Sequence, residues 1–108
     1  MNTKPLLLGY QSLRLDSSPD AAENGRHILA AYAGREGYTL GVIFTDLVYG
    51  RMAAFEALLT AVRAGGVAAV GVPTRDDLSS MPRMREAMRL RLEHAGGVPV
   101  VVAQPLLS

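Results

Sequence analysis

Leu7-Leu8-Gly9-Tyr10-Gln11-Ser12-Leu13-Arg14 is the stretch whose reading decides the fold. An apolar run turns polar within a few residues and then meets a basic side chain. The run is short, aliphatic or aromatic, and not cleanly alternating. Strands buried on both faces read this way, and such strands belong to parallel sheets. The run extends from Pro5 to Tyr10. Three more of the same kind follow at Tyr38 to Phe44, Val67 to Val72 and Val98 to Ala103.

The segments between these runs have helical periodicity. From Asp20 to Glu36, the residues Ile28, Leu29, Tyr32 and Ala33 form one stripe. Pro19-Asp20 suits the entrance and Gly37 the exit. Gly25 sits mid-helix and weakens it by about 1 kcal/mol relative to Ala. From about Met52 to Ala64, Phe55, Leu58, Leu59 and Val62 fall on one face, and Gly65-Gly66 ends the helix. From about Pro82 to His94, Ser79-Ser80 offers capping oxygens and Gly96-Gly97 stops the helix. The order β-α-β-α-β-α-β implies right-handed crossovers. The expected fold is α/β: a three-layer α/β/α sandwich on a parallel four-stranded sheet of order 2-1-3-4, one domain over residues 1–108. Reaction or ligand sites in such sheets lie beyond the carboxyl ends of the strands. Here that rim comprises Gln11 to Ser18, Thr45 to Arg51 and Pro73 to Ser80.

Composition narrows the functional classes. The chain has 108 residues, 49% hydrophobic and 19% charged, which suits an ordinary soluble globular protein. Its formal net charge of +1 supplies no global field towards nucleic acid or anionic lipid. Cysteine is absent, which removes disulfides, thiolate metal sites and a Cys nucleophile and suits a reducing cytoplasm. No apolar run approaches the roughly 20 residues that span a bilayer, so no membrane role is expected. His27 and His94 stand apart, with no second His or carboxylate expected at ligand spacing, so neither a metal nor another cofactor is expected. Asp16, Asp20, Glu23 and Asp76-Asp77 invite comparison with a phospho-acceptor receiver domain. That pattern needs a late Lys, and the only Lys is Lys4.

The motifs on this frame resemble the catalytic domain of the serine recombinases, the resolvase/invertase family. That family opens with a strand ending in Tyr-x-Arg-Val-Ser, whose Ser attacks a DNA phosphodiester. Tyr10-Gln11-Ser12-Leu13-Arg14 occupies that stretch. Tyr10 matches, Ser12 stands where the family has Arg, and Arg14 stands where it has the nucleophile. Phe44-Thr45-Asp46 matches the family's Phe-x-Asp, and Arg51 is the counterpart of an Arg that opens the second helix. The family's third strand exits into Asp-Arg-Leu-x-Arg; here Asp76-Asp77-Leu78-Ser79-Ser80 stands there. Asp76 and Leu78 match, while Asp77 and Ser80 replace the two phosphate-binding Arg residues. The likeness runs from about residue 6 to 103. The long helix and helix-turn-helix module that follow in the family have no counterpart here.

The resemblance implies a degenerate resolvase-like domain without catalysis. Transfer of a phosphoryl group to Ser needs an aligned hydroxyl and several cations. The remaining role would be protein–protein association, as a homo-oligomer or as a regulator of a DNA-handling partner. Tyr10, Ser12, Arg14, Asp46, Arg51 and Asp76 are the rim candidates for binding. An active recombinase is one alternative, with Ser12, Ser17 or Ser18 standing in as nucleophile. Loop serines after a strand also serve as turn and capping residues. A second alternative is an anion or nucleotide site where Arg14, Arg51 and Arg75 meet. The same residues could instead be solvated, or paired with Asp16, Asp46 and Asp76. Arg85 and Arg89 on the third helix are candidates for DNA or partner contact, against the commoner reading of a charged face laced by i, i+3 and i, i+4 pairs. Met81, Met84 and Met88 on that helix are expected in the core. Val98-Pro99-Val100-Val101-Val102 is expected at a sheet edge, with Pro99 blunting it; pairing with its copy would give a dimer.

Overall fold

The computed structural model describes residues 4–14, 16–47 and 52–104. Four strands alternate with three α-helices and one short 3-10 turn. They are β1 (Leu6–Leu13), α1 (Ala21–Glu36), β2 (Thr39–Leu47), α2 (Ala53–Ala64), β3 (Ala69–Val72), α3 (Pro82–Gly96) and β4 (Val100–Val102). The 3-10 turn covers Arg75–Asp77 between β3 and α3. The strands form one parallel sheet of order β2-β1-β3-β4, as the sequence predicts.

The central strands are closed in on both faces, which explains their unbroken apolar reading. Leu7, Leu8 and Tyr10 in β1 and all four residues of β3 are buried. Even-numbered residues of β1 face α2 and α3. There Leu8 and Tyr10 join Phe55, Leu58, Leu59, Val62, Met88 and Leu92 in the larger core. On the opposite face Leu7, Ala33 and Ala69 make a smaller core beneath α1. Gly9 explains how close α1 comes. A Cβ there would lie 2.8 Å from both Leu29 Cδ1 and Ile43 Cγ1, so only a hydrogen lets Leu29 settle onto the sheet.

Several element ends differ from the sequence expectation. β1 runs three residues past Tyr10 and β2 three past Phe44. In each case a polar side chain (Gln11, Asp46) is buried and hydrogen-bonded rather than opening a loop. β3 starts at Ala69, two residues later than the apolar run. The methionine stripe of α3 is not core throughout. Met88 is 3% exposed, but Met84 is 42% and Met81 59% exposed. α3 packs mainly on α2, so only the side around Met88 and Leu92 meets apolar neighbours. The helix starts after Met81 with no side-chain cap; the Ser79 hydroxyl accepts the N–H of Met81 at 3.0 Å instead, so neither expected serine caps the first turn.

Candidate functional site

The rim at the carboxyl ends of β1, β2 and β3 is organised by two carboxylates. Asp46, near the end of β2, is 8% exposed. Its Oδ2 accepts the Tyr10 hydroxyl at 2.8 Å and the Phe55 N–H at 2.9 Å, and its Oδ1 accepts the Ala54 N–H at 2.9 Å. The reason lies in α2. Its preceding residue, Met52, sits at φ 57°, ψ 32° and offers no capping side chain. A left-handed Met costs about 1 kcal/mol and leaves the first N–H groups of the helix unpartnered. Asp46 supplies the missing cap from the neighbouring strand and puts a negative charge at the positive end of the helix. Burial first, then the bond and charge of Asp46, push the Tyr10 phenol well above the ordinary tyrosine range, so it stays a donor. The Tyr10 ring meets Phe55 edge to face at 5.5 Å between centroids.

The second carboxylate is Asp77. Its Oδ1 accepts the Ser12 backbone N–H at 3.1 Å. Its Oδ2 accepts both the N–H and the hydroxyl of Thr74, each at 3.0 Å. These bonds tie the 3-10 turn after β3 to the last residues of β1. Desolvation raises the Asp77 carboxyl above the ordinary value, while the bonds from Ser12 and Thr74 pull it back.

The remaining candidates do not converge. Arg14 turns away to Asp16 at 3.2 Å, in a pair that is 76% exposed on both sides. Its backbone N–H donates to the Ser17 hydroxyl at 3.0 Å, so Ser17 is a turn residue here. Asp76 pairs with Arg85 at 3.3 Å, and the same guanidinium donates to the Ser79 carbonyl at 3.0 Å. Arg85 therefore fastens α3 to the turn before it. Arg89 is held between Glu86 and Glu93 on its own helix, at 3.0 Å from the latter. The bond from Arg89 draws the Glu86 carboxyl below its usual range. This is the laced charged face that helical spacing allowed. Among the expected pairings, Arg14–Asp16 is present; Asp46 instead bonds a phenol and two backbone groups, and Asp76 takes Arg85 rather than Arg75. Arg51 lies outside the described residues. His27 does have a carboxylate near it: Glu23 lies at 3.5 Å, one helical turn back, contrary to the expected isolation.

Gln11 was not singled out by its sequence context. It is 4% exposed, and its amide donates to Thr45 Oγ1 at 3.2 Å and to the Ala22 carbonyl at 3.4 Å. The mid-helix glycine opposite is explained by it, because a Cβ on Gly25 would lie 1.9 Å from Gln11 Oε1. An unexplained helical Gly facing a strand end was the available signal. Among the described residues there is no group of three or more His, Asp or Glu that could hold a metal ion, and no helix is long and apolar enough to cross a membrane.

The parallel sheet of order β2-β1-β3-β4 with its helices matches the fold of serine recombinase catalytic domains. The C-terminal catalytic domain of ISC1926 TnpA, an IS607-like serine recombinase, superposes with a TM-score of 0.78 at 17% identity, over 93% of this chain and 71% of that one. The N-terminal catalytic domain of TP901-1 integrase gives 0.73 at 17% identity, over 91% and 76%. A protein encoded by the first reading frame of transposon ISC1904 from Sulfolobus solfataricus P2 gives 0.62 at 17%, over 98% and 71%. At these identities the likeness is one of fold. No protein-family model matches the chain and no curated protein matches it.

Proposed function

We propose that this chain is a recombinase-fold domain, one unit over residues 1–108, that has lost strand cleavage and acts through protein–protein association. The observation that carries the reading is Asp77. By resemblance its position belongs to a phosphate-binding Arg. Here a carboxylate stands there, with three hydrogen bonds to Ser12 and Thr74 that make it part of the frame. A carboxylate at that place repels a phosphodiester, whereas strand transfer needs concentrated positive charge. Arg14, at the nucleophile's place, is basic and turned to Asp16. Arg85 and Arg89 are occupied by Asp76, Glu86 and Glu93, which leaves them little charge to offer a DNA backbone. A cysteine-free chain suits a reducing, cytoplasmic setting.

The test is incubation of the whole chain with supercoiled and linear DNA, followed by denaturing electrophoresis for a covalent protein–DNA adduct. We expect no adduct and no nicking, and no change on Ser12→Ala. An adduct that disappears in that variant would establish an active recombinase with an unusual nucleophile.

A further inference from the structure

The two edges of the sheet are protected unequally. β4 has three residues, a short edge that offers an incoming strand few groups to pair with. β2 has nine residues and, among the described residues, pairs only with β1. Natural edge strands are guarded by Lys, Pro, inward charges or bulges. From Thr39 to Leu47 there is no Lys, Arg or Pro. The one ionisable side chain, Asp46, is turned inwards and consumed by Tyr10 and the start of α2. One bulge is present. Leu7 pairs with Leu40 but Gly9 with Ile43, so β2 holds an extra residue at Gly41–Val42. Beyond it the pairing runs without a break from Ile43 to Leu47. Val42, in the bulge before that run, and Leu47, at its far end, are 61% and 52% exposed.

We propose that the Ile43–Leu47 edge is an association surface for a second copy of this chain, joined antiparallel about a two-fold axis through Thr45. This rests on the association reading above and names its surface and partner. An isologous contact must match a strand with itself, and a two-fold normal to the sheet makes the pairing antiparallel. Side chains alternate, so partners share a face only when the axis passes through a residue. Centring on Thr45 pairs the whole unbulged run. Ile43 faces Leu47 of the second copy, Thr45 faces its own copy, and Phe44 faces Asp46. Ile43 and Thr45 lie on the α1 side of the sheet, where they approach Gly9 and Gln11. Leu47 shares that side by alternation. The pairing therefore sets apolar against apolar and hydroxyl against hydroxyl. No like charges meet across it, because the Asp46 carboxylates are held within their own subunits. Such an edge contact is smaller than a standard interface, so the dimer is a weak one.

The experiment is sedimentation velocity on the whole chain from about 10 µM to about 1 mM, spanning the weak range of association, paired with amide hydrogen exchange at both ends of that range. The expected result is a monomer–dimer equilibrium, with amides in Ile43–Leu47 gaining protection as concentration rises. Val42→Lys/Leu47→Lys should weaken the dimer at least about tenfold and leave the far-UV spectrum unchanged. Leu90→Lys, at an exposed apolar site on α3, should leave the dimer intact. Leu47→Lys alone serves if the double variant misfolds. A monomer at all concentrations overturns the proposal. So does a dimer indifferent to the lysines, or one whose protection maps to β4 or α3. The last two would leave the association reading standing, whereas a covalent DNA adduct would overturn that reading and leave the edge to be judged by the exchange pattern.

Discussion

Replacing Asp46 with Ala tests whether the family-like Asp of β2 is a structural cap. Three donors lose their acceptor: the Tyr10 hydroxyl at 2.8 Å and the Ala54 and Phe55 N–H groups at 2.9 Å. Loss of a capping side chain costs about 1 kcal/mol and up to about 2. A buried hydroxyl left without a partner adds about 1–3 kcal/mol. The Met52 backbone keeps its left-handed cost without the cap that offset it. The expected loss is about 3 kcal/mol, a large share of the roughly 5–15 kcal/mol that a domain has. In urea, with a slope of about 1–1.5 kcal/mol per M for so small a domain, the midpoint should fall by about 2–3 M. Tyr10→Phe alone should cost about 1 kcal/mol. The double variant should lose about 1–2 kcal/mol less than the sum, because Tyr10→Phe removes the very hydroxyl that Asp46→Ala orphans. An Asp46→Ala loss below about 0.5 kcal/mol, or strict additivity with Tyr10→Phe, would refute the capping argument.

Two further predictions concern the rim. Gly25→Ala removes a helical glycine, a change worth about 1 kcal/mol in favour of folding on propensity alone. Its Cβ would meet Gln11 Oε1, so the variant should instead be less stable by thermal melting. In a Gln11→Ala background the same change should become stabilising, and a gain in both backgrounds would show that Gln11 does not constrain the helix. Asp77 titrates with a carboxyl raised by desolvation, so its folded form holds its proton to higher pH than its unfolded form. Its contribution is therefore greatest below the ordinary carboxyl range and declines as pH rises through the raised value. The stability of the wild type relative to Asp77→Asn, from urea curves between about pH 3 and about pH 7, should fall as pH rises; a widening advantage would contradict the direction.

The parts of the fold that rest on periodic apolar burial were legible. β1 and β3 read as continuous apolar runs because helices cover both faces, and α2 read cleanly because Phe55, Leu58, Leu59 and Val62 all enter one core. What escaped is where a polar residue is buried. Gln11 and Asp46 look like loop openers in sequence, yet each prolongs a strand because a donor or acceptor waits on the adjoining helix. α3 misled for the opposite reason. Its methionines have core spacing, but the helix packs mainly on α2, so the apolar stripe is wider than the surface available to cover it. The site was legible only as positions. The sequence shows Asp77 in place of a cation; that its carboxylate laces two strand ends together depends on the Thr74 turn, which has no apolar pattern to announce it.

On the proposed reading, no single exchange at the rim supplies strand transfer. Exchanging Asp77 for Arg would remove the acceptor of Ser12 and Thr74 and place a long cation where three donors already point. Exchanging Arg14 for Ser would restore a hydroxyl at the nucleophile's position without the cations that stabilise a leaving oxygen. The first exchange loses stability; the second gives up only an exposed ion pair and supplies no chemistry on its own. Asp46 escapes this logic because its bonds to Tyr10 and α2 hold the frame whatever the rim does. Of the residues in which the chain agrees with the recombinase motifs, Tyr10 and Leu78 lie in the main core, Phe44 packs against it and Asp46 is buried, while Asp76 stands exposed in the turn after β3. Of those in which it departs, Ser12 and Arg14 stand at the end of β1, Asp77 in the turn after β3 and Ser80 just before α3.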